Sequence, residues 1–448
     1  MSRHVRTLCI LAVLGVLACD DPAPIEVVPE SLDAQLRQQF TSWNVVPIGE
    51  APHQARAMVA LGQALMFDKI LSGNRDVSCA TCHDPTQHLT DGLALAVGTG
   101  GSGSGPARTL GVGRAFVPRN APTLLNSSIG LPYIFWDGRL TRFGPPLPGV
   151  ILPTTDLLQA QAMLPVLNRR EMRGERGDLD VFGNPNELAQ LDDTQSNAIW
   201  QGVMHRLVAV PGYVTLFNAA FPSNPPIPPT SLTFQDMGTA IAAFQTDALM
   251  KTGSPFDRYL ARDNNALSVQ AKRGGVLFFG QARCSQCHNG PFLGGRDFSN
   301  SGVPQLGPGV GQAAPLDKGR GEVLNVQFYE FAFRVPPLRN VELTAPYFHN
   351  GSFATLESVV KHYNDVPTSL RTFDPSTLPA SLQGSYHGDV GTINAVLATL
   401  DGRLQAPLHL TDAQIADLVA FLKSLTDPAA RDLSGIVPAS VPSGLPVR

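Results

Sequence analysis

The sequence predicts a mainly α-helical fold of two related halves joined by long irregular loops. Three observations predict it. First, Cys79-Ala80-Thr81-Cys82-His83 and Cys284-Ser285-Gln286-Cys287-His288 repeat one pattern 205 residues apart. Second, the flanking residues repeat too. Gly62-x-x-Leu65-x-Phe67 and Gly274-x-x-Leu277-x-Phe279 precede the two copies, and Pro122-x-Leu124-x-Asn126 and Pro336-x-Leu338-x-Asn340 follow them. Phe135-Trp136-Asp137-Gly138 and Phe348-His349-Asn350-Gly351 come next, so Trp136 and His349 occupy matching places. This reads as an internal duplication of a unit of about 200 residues. Third, apolar residues between the loops recur with a helical period.

Residues 1–19 read as an export segment. Arg3, His4 and Arg6 precede an apolar stretch, 8–17, that is too short to cross a bilayer. It ends in Val16-Leu17-Ala18-Cys19, which resembles the cleavage box of bacterial lipoproteins, where the cysteine becomes the lipidated first residue. That reading places the protein in the periplasm, anchored to a membrane through Cys19; an ordinary signal peptide cut nearby is the plainer alternative. Residues 20–50 form a tether, with Pro22, Pro24 and Pro29, and an N-terminal segment.

Residues 51–250 form the first half. Met58, Leu61, Gly62 and Leu65 mark one face of a helix leading to the first cysteine motif, and Phe234, Met237, Ile241, Phe244 and Ala248 mark another. Residues 251–427 form the second half. Leu356, Val359, Val360 and Tyr363 fall at i, i+3, i+4 and i+7, with His362 turned off that face by about 100°. Thr411 and Gln414 make a capping box that opens a helix with Ile415, Leu418, Val419, Leu422 and Leu425 inward. The loops are the Gly/Ser run 98–105, whose composition permits free movement, the Pro cluster 222–229, and residues 302–321. Residues 428–448 are expected to be an irregular tail.

Charged residues make up only 16% of the chain, against about 25% in typical soluble proteins. With 42 glycines and 38 prolines, irregular structure should be plentiful, yet 43% hydrophobic residues supply a core and exclude wholesale disorder. The net charge of −4, with no long basic run, argues against nucleic acid as a partner.

The cysteines carry the chemistry. Cys9 and Cys19 belong to the export segment, and the other four form the two Cys-x-x-Cys-His patterns. Each reads as a c-type haem attachment site. Two thiols add across the haem vinyl groups, and the adjacent histidine becomes the proximal iron ligand. Composition alone predicts roughly 0.002 such motifs by chance. A zinc ribbon or redox dithiol explains the thiols but not both histidines. Two covalent haem c groups are therefore expected, on Cys79, Cys82 and His83 and on Cys284, Cys287 and His288.

These motifs, with Pro118-Arg119-Asn120-Ala121-Pro122-Thr123, Phe135-Trp136-Asp137-Gly138-Arg139 and the segment from Leu338 to His349, resemble the bacterial di-haem cytochrome c peroxidase family, which includes the MauG-type enzymes. The resemblance covers roughly residues 50–427. It implies two cytochrome c-like domains, an N-terminal haem that meets peroxide and a C-terminal haem that relays electrons. It implies Glu171 as general acid/base and Gln161 as its polar partner, since Gln161, Pro165, Glu171 and Met172 keep the family spacing. Trp136 lies 25 residues before Gln161, more than usual, and the Pro-rich stretch 143–155 is expected to reshape the access path. Trp136 is the implied bridge between haems. A calcium ion is implied on the Asn120 side chain and the carbonyls of Thr344 and Pro346.

Many members of the family close the first haem with a histidine in the following loop. Residues 91–119 contain none, and His88 lies only five residues past His83, so the first haem is expected to be open at rest. For the second haem, members commonly use a methionine fourteen residues after the position of His349. Here that residue is Tyr363, and no methionine follows Met250. Tyrosine is the MauG-type choice, which makes Tyr363 the expected sixth ligand, with His362 and an open or other arrangement as the alternatives.

Three functions are compatible with this reading. The first is a periplasmic peroxidase that reduces H₂O₂ to water with electrons from a small cytochrome c or cupredoxin. The second is a MauG-type oxidase of a protein or organic substrate. The third is a non-catalytic di-haem electron carrier. The family is often dimeric, so a homodimer is compatible with all three.

Overall fold

One helix crossing organises each half. The computed structural model describes residues 31–144, 147, 150–223 and 225–447; the export segment and Cys19 lie outside them. The principal helices are α1 (Leu32–Ser42), α2 (Arg56–Phe67), α3 (Leu157–Met163), α4 (Ser196–Val208), α5 (Phe234–Ala248), α6 (Val269–Phe279), α7 (Leu356–Asn364) and α8 (Asp412–Ser424). Helix α2 crosses α5, and α6 crosses α8.

The repeated glycines sit at these crossings. A Cβ on Gly62 would lie 1.9 Å from the Ala240 carbonyl oxygen and 2.8 Å from Phe244 Cβ. A Cβ on Gly274 would lie 1.9 Å from the Asp417 carbonyl oxygen and 2.9 Å from Phe421 Cβ. Both pairs of helices touch backbone to backbone, an approach that only a residue without a side chain permits. On α2, Leu65 and Phe67 are buried beside Gly62, and on α6 Phe278 and Phe279 are buried beside Gly274.

Other repeated residues share unusual backbone geometry. Asn126 and Asn340 are left-handed (φ 59° and 64°), as are Phe135 and Phe348 (67° and 69°) and Gly138 and Gly351 (63° and 64°). Asn126 N–H donates to the Leu249 carbonyl, and Asn340 N–H to that of Leu425, both at 3.0 Å. Their side-chain oxygens accept from Lys251 N–H (2.6 Å) and Asp427 N–H (2.8 Å). Each asparagine thus fastens its loop just past the end of a crossing helix. The correspondence is compatible with internal duplication.

The core has two main parts. One gathers Leu61, Leu65, Met163, Trp200, Phe217, Met237 and Ile241; the other gathers Phe256, Tyr259, Phe278, Phe421 and Leu418. The chain ends cross between them. From the N-terminal side, Leu36 and Phe40 of α1 enter the second core, where Phe40 meets Phe256 and Phe279 edge-on. From the C-terminal side, Ala430, Leu433 and Val441 pack on Met66 and Phe67 of the first half, and Ser443 Oγ donates to Asp68 at 2.6 Å. Residues 428–447 hold only short turns, as expected of an irregular tail, but they are packed down.

Among the described residues the strands form two short antiparallel pairs: β1 (Tyr133–Ile134) with β2 (Leu140–Thr141), and β3 (Phe298–Ser299) with β4 (Phe333–Arg334). The Thr411 capping box forms as the spacing predicts, with Thr411 N–H on Gln414 Oε1 at 2.9 Å. The run 98–105 departs from expectation. Arg108 donates to the carbonyls of Val97, Gly98 and Gly103 at 2.7, 2.7 and 2.9 Å, and Asp76 accepts from Thr99 Oγ1 and Gly100 N–H. The glycines allow a tight path, and the arginine then fixes it.

Gly274→Ala forces the α6–α8 crossing apart and should lower stability by about 1–3 kcal/mol. Gly435→Ala, at a position with no neighbour within 4 Å, should be near neutral. Denaturant unfolding of the two variants checks this; equal midpoints contradict the close crossing.

Candidate functional site

The two cysteine motifs present the same chemistry. The first forms the short helix Cys79–Cys82, started by a capping box in which Ser78 N–H donates to Thr81 Oγ1 at 2.9 Å. His83 follows, with Nδ1 3.1 Å from the Leu89 carbonyl; in the second motif His288 Nδ1 lies 3.0 Å from the Leu293 carbonyl. A carbonyl only accepts, so both rings carry their proton on Nδ1, and in the neutral ring Nε2 is the lone-pair nitrogen, the form that ligates metals. Burial lowers both imidazoles, His288 to about 4, so both are neutral at ordinary pH.

No disulfide joins these four cysteines, and burial pushes their thiols up: Cys79 and Cys287 to about 11, Cys284 to about 12, and Cys82 further still. They stand as neutral thiols, each pair beside one neutral imidazole. The first pair opens into a largely apolar cavity of about 800 Å³, within the range of cofactor sites. This donor set and space fit a haem c group.

Glu171 and Gln161 line that same cavity. Glu171 sits on a π-helical turn, Arg169–Arg173, a kind of distortion frequent at functional sites. Asn168 begins the turn. Its side-chain oxygen accepts from Arg170 N–H at 3.0 Å, and its amide donates to Glu171 Oε1 at 2.9 Å. The Glu171 carbonyl accepts from Thr99 N–H at 2.9 Å, so the pinned 98–105 loop also holds this turn. Burial raises the Glu171 carboxyl above its usual range, against the pull of Arg139 and Arg119. Gln161, on α3, has no hydrogen bond on its side chain among the described residues, which leaves its amide available to a guest. His83 is the only histidine among the residues lining the cavity. His88 is directed elsewhere, with Nδ1 3.1 Å from the Ala430 carbonyl.

The halves meet at Arg119 and Asn120. Arg119 binds Asp137 at 2.5 Å and grips both oxygens of Asp317 at 2.7 and 2.9 Å. The Asn120 carbonyl accepts from the Trp136 indole N–H at 2.9 Å, and Asn120 N–H donates to the His349 carbonyl at 2.7 Å. Trp136 and His349, matched in the repeat, are thus joined through one residue. The Asn120 amide donates to the Leu93 carbonyl at 2.7 Å, which turns its Oδ1 free of internal donors. Thr344 and Pro346 line the same cavity.

In the second half, Tyr363 is buried near Cys284 and Cys287, and burial pushes its phenol well up, against a hydrogen bond with Ser301. His362 does not sit clear of the core. It is 1% exposed, with Nδ1 2.9 Å from Ser369 Oγ and Nε2 2.8 Å from the Ser301 carbonyl. Both its nitrogens are engaged within the protein. Sequence reading also missed Asp317, which sits in a stretch legible only as loop. It missed Asp91 as well, a fully buried carboxyl pushed up to about 7 by desolvation.

Paired Cys-x-x-Cys-His sites, one of them sharing a cavity with an acid and an amide, are the arrangement expected of a di-haem c oxidoreductase. Comparison with known proteins agrees. The family model for di-haem cytochrome c peroxidase matches residues 56–265. The chain is 33% identical to "Methylamine utilization protein MauG" of Methylorubrum extorquens, over 74% of this chain and 75% of that protein. It is 34% identical to "Cytochrome c551 peroxidase" of Pseudomonas aeruginosa, over 72% and 74%. Among solved structures, a MauG-like protein associated with microbial copper homeostasis superposes with a TM-score of 0.59 at 26% identity, covering 86% of this chain and 95% of that one. The diheme peroxidase BthA from Burkholderia thailandensis shares the fold, at a TM-score of 0.54 and 22% identity over 89% and 95%. The chain belongs to the di-haem cytochrome c peroxidase family and is an oxidoreductase of that class. Membership implies haem c as its cofactor.

Proposed function

We propose that the protein reduces H₂O₂ to water in the cavity above His83. Two protons and two electrons are consumed for each peroxide and two waters leave. The observation that carries this reading is the convergence of Glu171, Gln161 and the His83 imidazole on one cavity. Haem c held by Cys79, Cys82 and His83 supplies the redox-active iron, and a second held by Cys284, Cys287 and His288 supplies a relay for electrons.

The chain's own residues do the rest. Glu171, ionised, takes the proton from the nearer peroxide oxygen and returns it to the departing one. Asn168 keeps its carboxylate aimed while it does so. Gln161 donates a hydrogen bond to the charge that develops as the two oxygens separate. Trp136 places an oxidisable indole where the halves meet, and its N–H is committed to Asn120, which fixes the ring. Asn120, Thr344 and Pro346 offer neutral oxygens suited to Ca²⁺. Electrons come from a small redox protein, cytochrome c or cupredoxin, in a periplasm to which Cys19 would tether the enzyme.

Tyr363 favours a second reading. A buried phenol beside the second pair of thiols is placed to become an anionic ligand. Such a ligand favours higher iron oxidation states and would suit a MauG-type oxidase.

Glu171→Gln should lower kcat/KM for H₂O₂ by about 10²–10⁴, with haem content unchanged. In the parent, activity should fall as pH drops and Glu171 protonates, with a midpoint above the usual glutamate range because its pKa is raised. That acid limb should vanish in the variant. Activity within a few-fold of the parent, with the same acid limb, removes Glu171 from the mechanism.

Tyr363→Phe tests the second reading. The second haem's low-spin signal and potential should both change. Identical spectra and potentials exclude Tyr363 as ligand and leave the simple peroxidase.

A further inference from the structure

Four arginines line the cavity: Arg119, Arg139, Arg334 and Arg339. Three have acidic partners. Arg119 holds Asp137 and Asp317, Arg139 shares Asp137, and Arg339 binds Asp257. Arg334 stands apart. It is only 8% exposed, and among the described residues no carboxylate lies within ion-pair distance of it. Its Nε donates to the Phe135 carbonyl at 3.2 Å, and its Nη1 is buried without any partner. Burial alone, with no negative charge to offset it, pulls this guanidinium down to about 10.

A buried cation without a counter-ion is strongly unfavourable, and here the backbone prevents escape. Arg334 is in β4, paired to β3, and its N–H donates to the Trp136 carbonyl at 2.6 Å. The guanidinium therefore stays in the cavity wall, beside Trp136, with donors directed at something the chain does not supply.

We propose that Arg334 is a carboxylate-binding residue whose ligand is a propionate of a haem held in this cavity. The assignment rests on the di-haem reading. Haem c is tethered through its former vinyl groups and keeps two propionates on the edge away from those bonds. A planar guanidinium fork matches a carboxylate in bidentate fashion, and a charge-assisted pair is stronger still where water is excluded. Arg334 then completes the charge balance of the wall. It also sets the charge beside Trp136, since the arginine that holds the propionate holds the Trp136 backbone as well.

The test uses the full-length holoprotein with Arg334→Gln and Arg334→Lys. Haem is counted first, then both potentials are titrated and the propionate bending bands recorded by resonance Raman. Loss of the guanidinium leaves a propionate uncompensated and stabilises the oxidised iron. Arg334→Gln should therefore lower one haem's potential by at least a tenfold change in its one-electron equilibrium, about 59 mV, and shift that haem's propionate band. Arg334→Lys should recover most of the potential but not the band, because the fork is gone. If Arg334→Gln does not fold, the band in Arg334→Lys decides, and an unchanged band overturns the proposal. Two haems per chain with potentials and bands unmoved in Arg334→Gln overturn the assignment alone. A parent chain without two haems sinks the di-haem reading and the assignment with it. Acetate-dependent potentials in the parent, with unmoved propionate bands in the variants, assign the site to an exogenous anion and also overturn the proposal.

Discussion

The dipeptide Arg119–Asn120 is the constraint on which the site depends. Arg119 is a buried cation shared between Asp137 of the first half and Asp317 of the second, 198 residues apart in sequence. Removing one partner from such a pair typically costs about 3–5 kcal/mol, because an unpaired charge stays behind. Asn120, the next residue, ties the Trp136 indole to the His349 backbone. The relative placement of the two cysteine motifs is therefore fixed at one point, by charge on one side and backbone hydrogen bonds on the other. The crossed chain ends, α1 on the second core and residues 430–443 on the first, add a clasp at the periphery.

That junction also sorts the carboxyls around it into two kinds. Arg119 holds Asp137 and Asp317 well below the usual carboxylate range, so they stay ionised and structural. Their stabilising contribution is present above the unfolded-state pKa and is lost only as pH falls through their depressed values. Glu171 has no direct arginine partner; burial dominates, and its carboxyl rises. Neighbouring acids pushed in opposite directions are the usual mark of divided acid–base duties. The imidazoles follow the same logic. Burial keeps His83 and His288 neutral, and a backbone carbonyl fixes the tautomer of each.

Much of this was legible in the residues because it is local. The cysteine motifs, the Gly-x-x-Leu-x-Phe repeats and the Thr411 capping box are short patterns with one physical reading each. The glycines mark the crossings because nothing larger fits there. What was not legible depends on partners distant in sequence. Nothing near Asp317 announces that Arg119 will find it, and the loop 302–321 reads only as loop. Arg334 looks like any arginine in a short strand until its surroundings show no counter-charge. Periodicity turns His362 off the apolar face but does not show that the protein buries that side too and satisfies both ring nitrogens with Ser301 and Ser369. The run 98–105 misled because glycine content was read as mobility, whereas Arg108 clamps it.

The central claim is that the first site is open above His83, with Glu171 and Gln161 already in place and no second imidazole in the wall. Its most direct test is to mix the fully oxidised holoprotein with H₂O₂, without any reductant, and follow the optical spectrum. An open site predicts a high-spin band at rest and an immediate spectral change on mixing. A resting spectrum of two low-spin haems that stays unchanged until one is reduced would contradict the account.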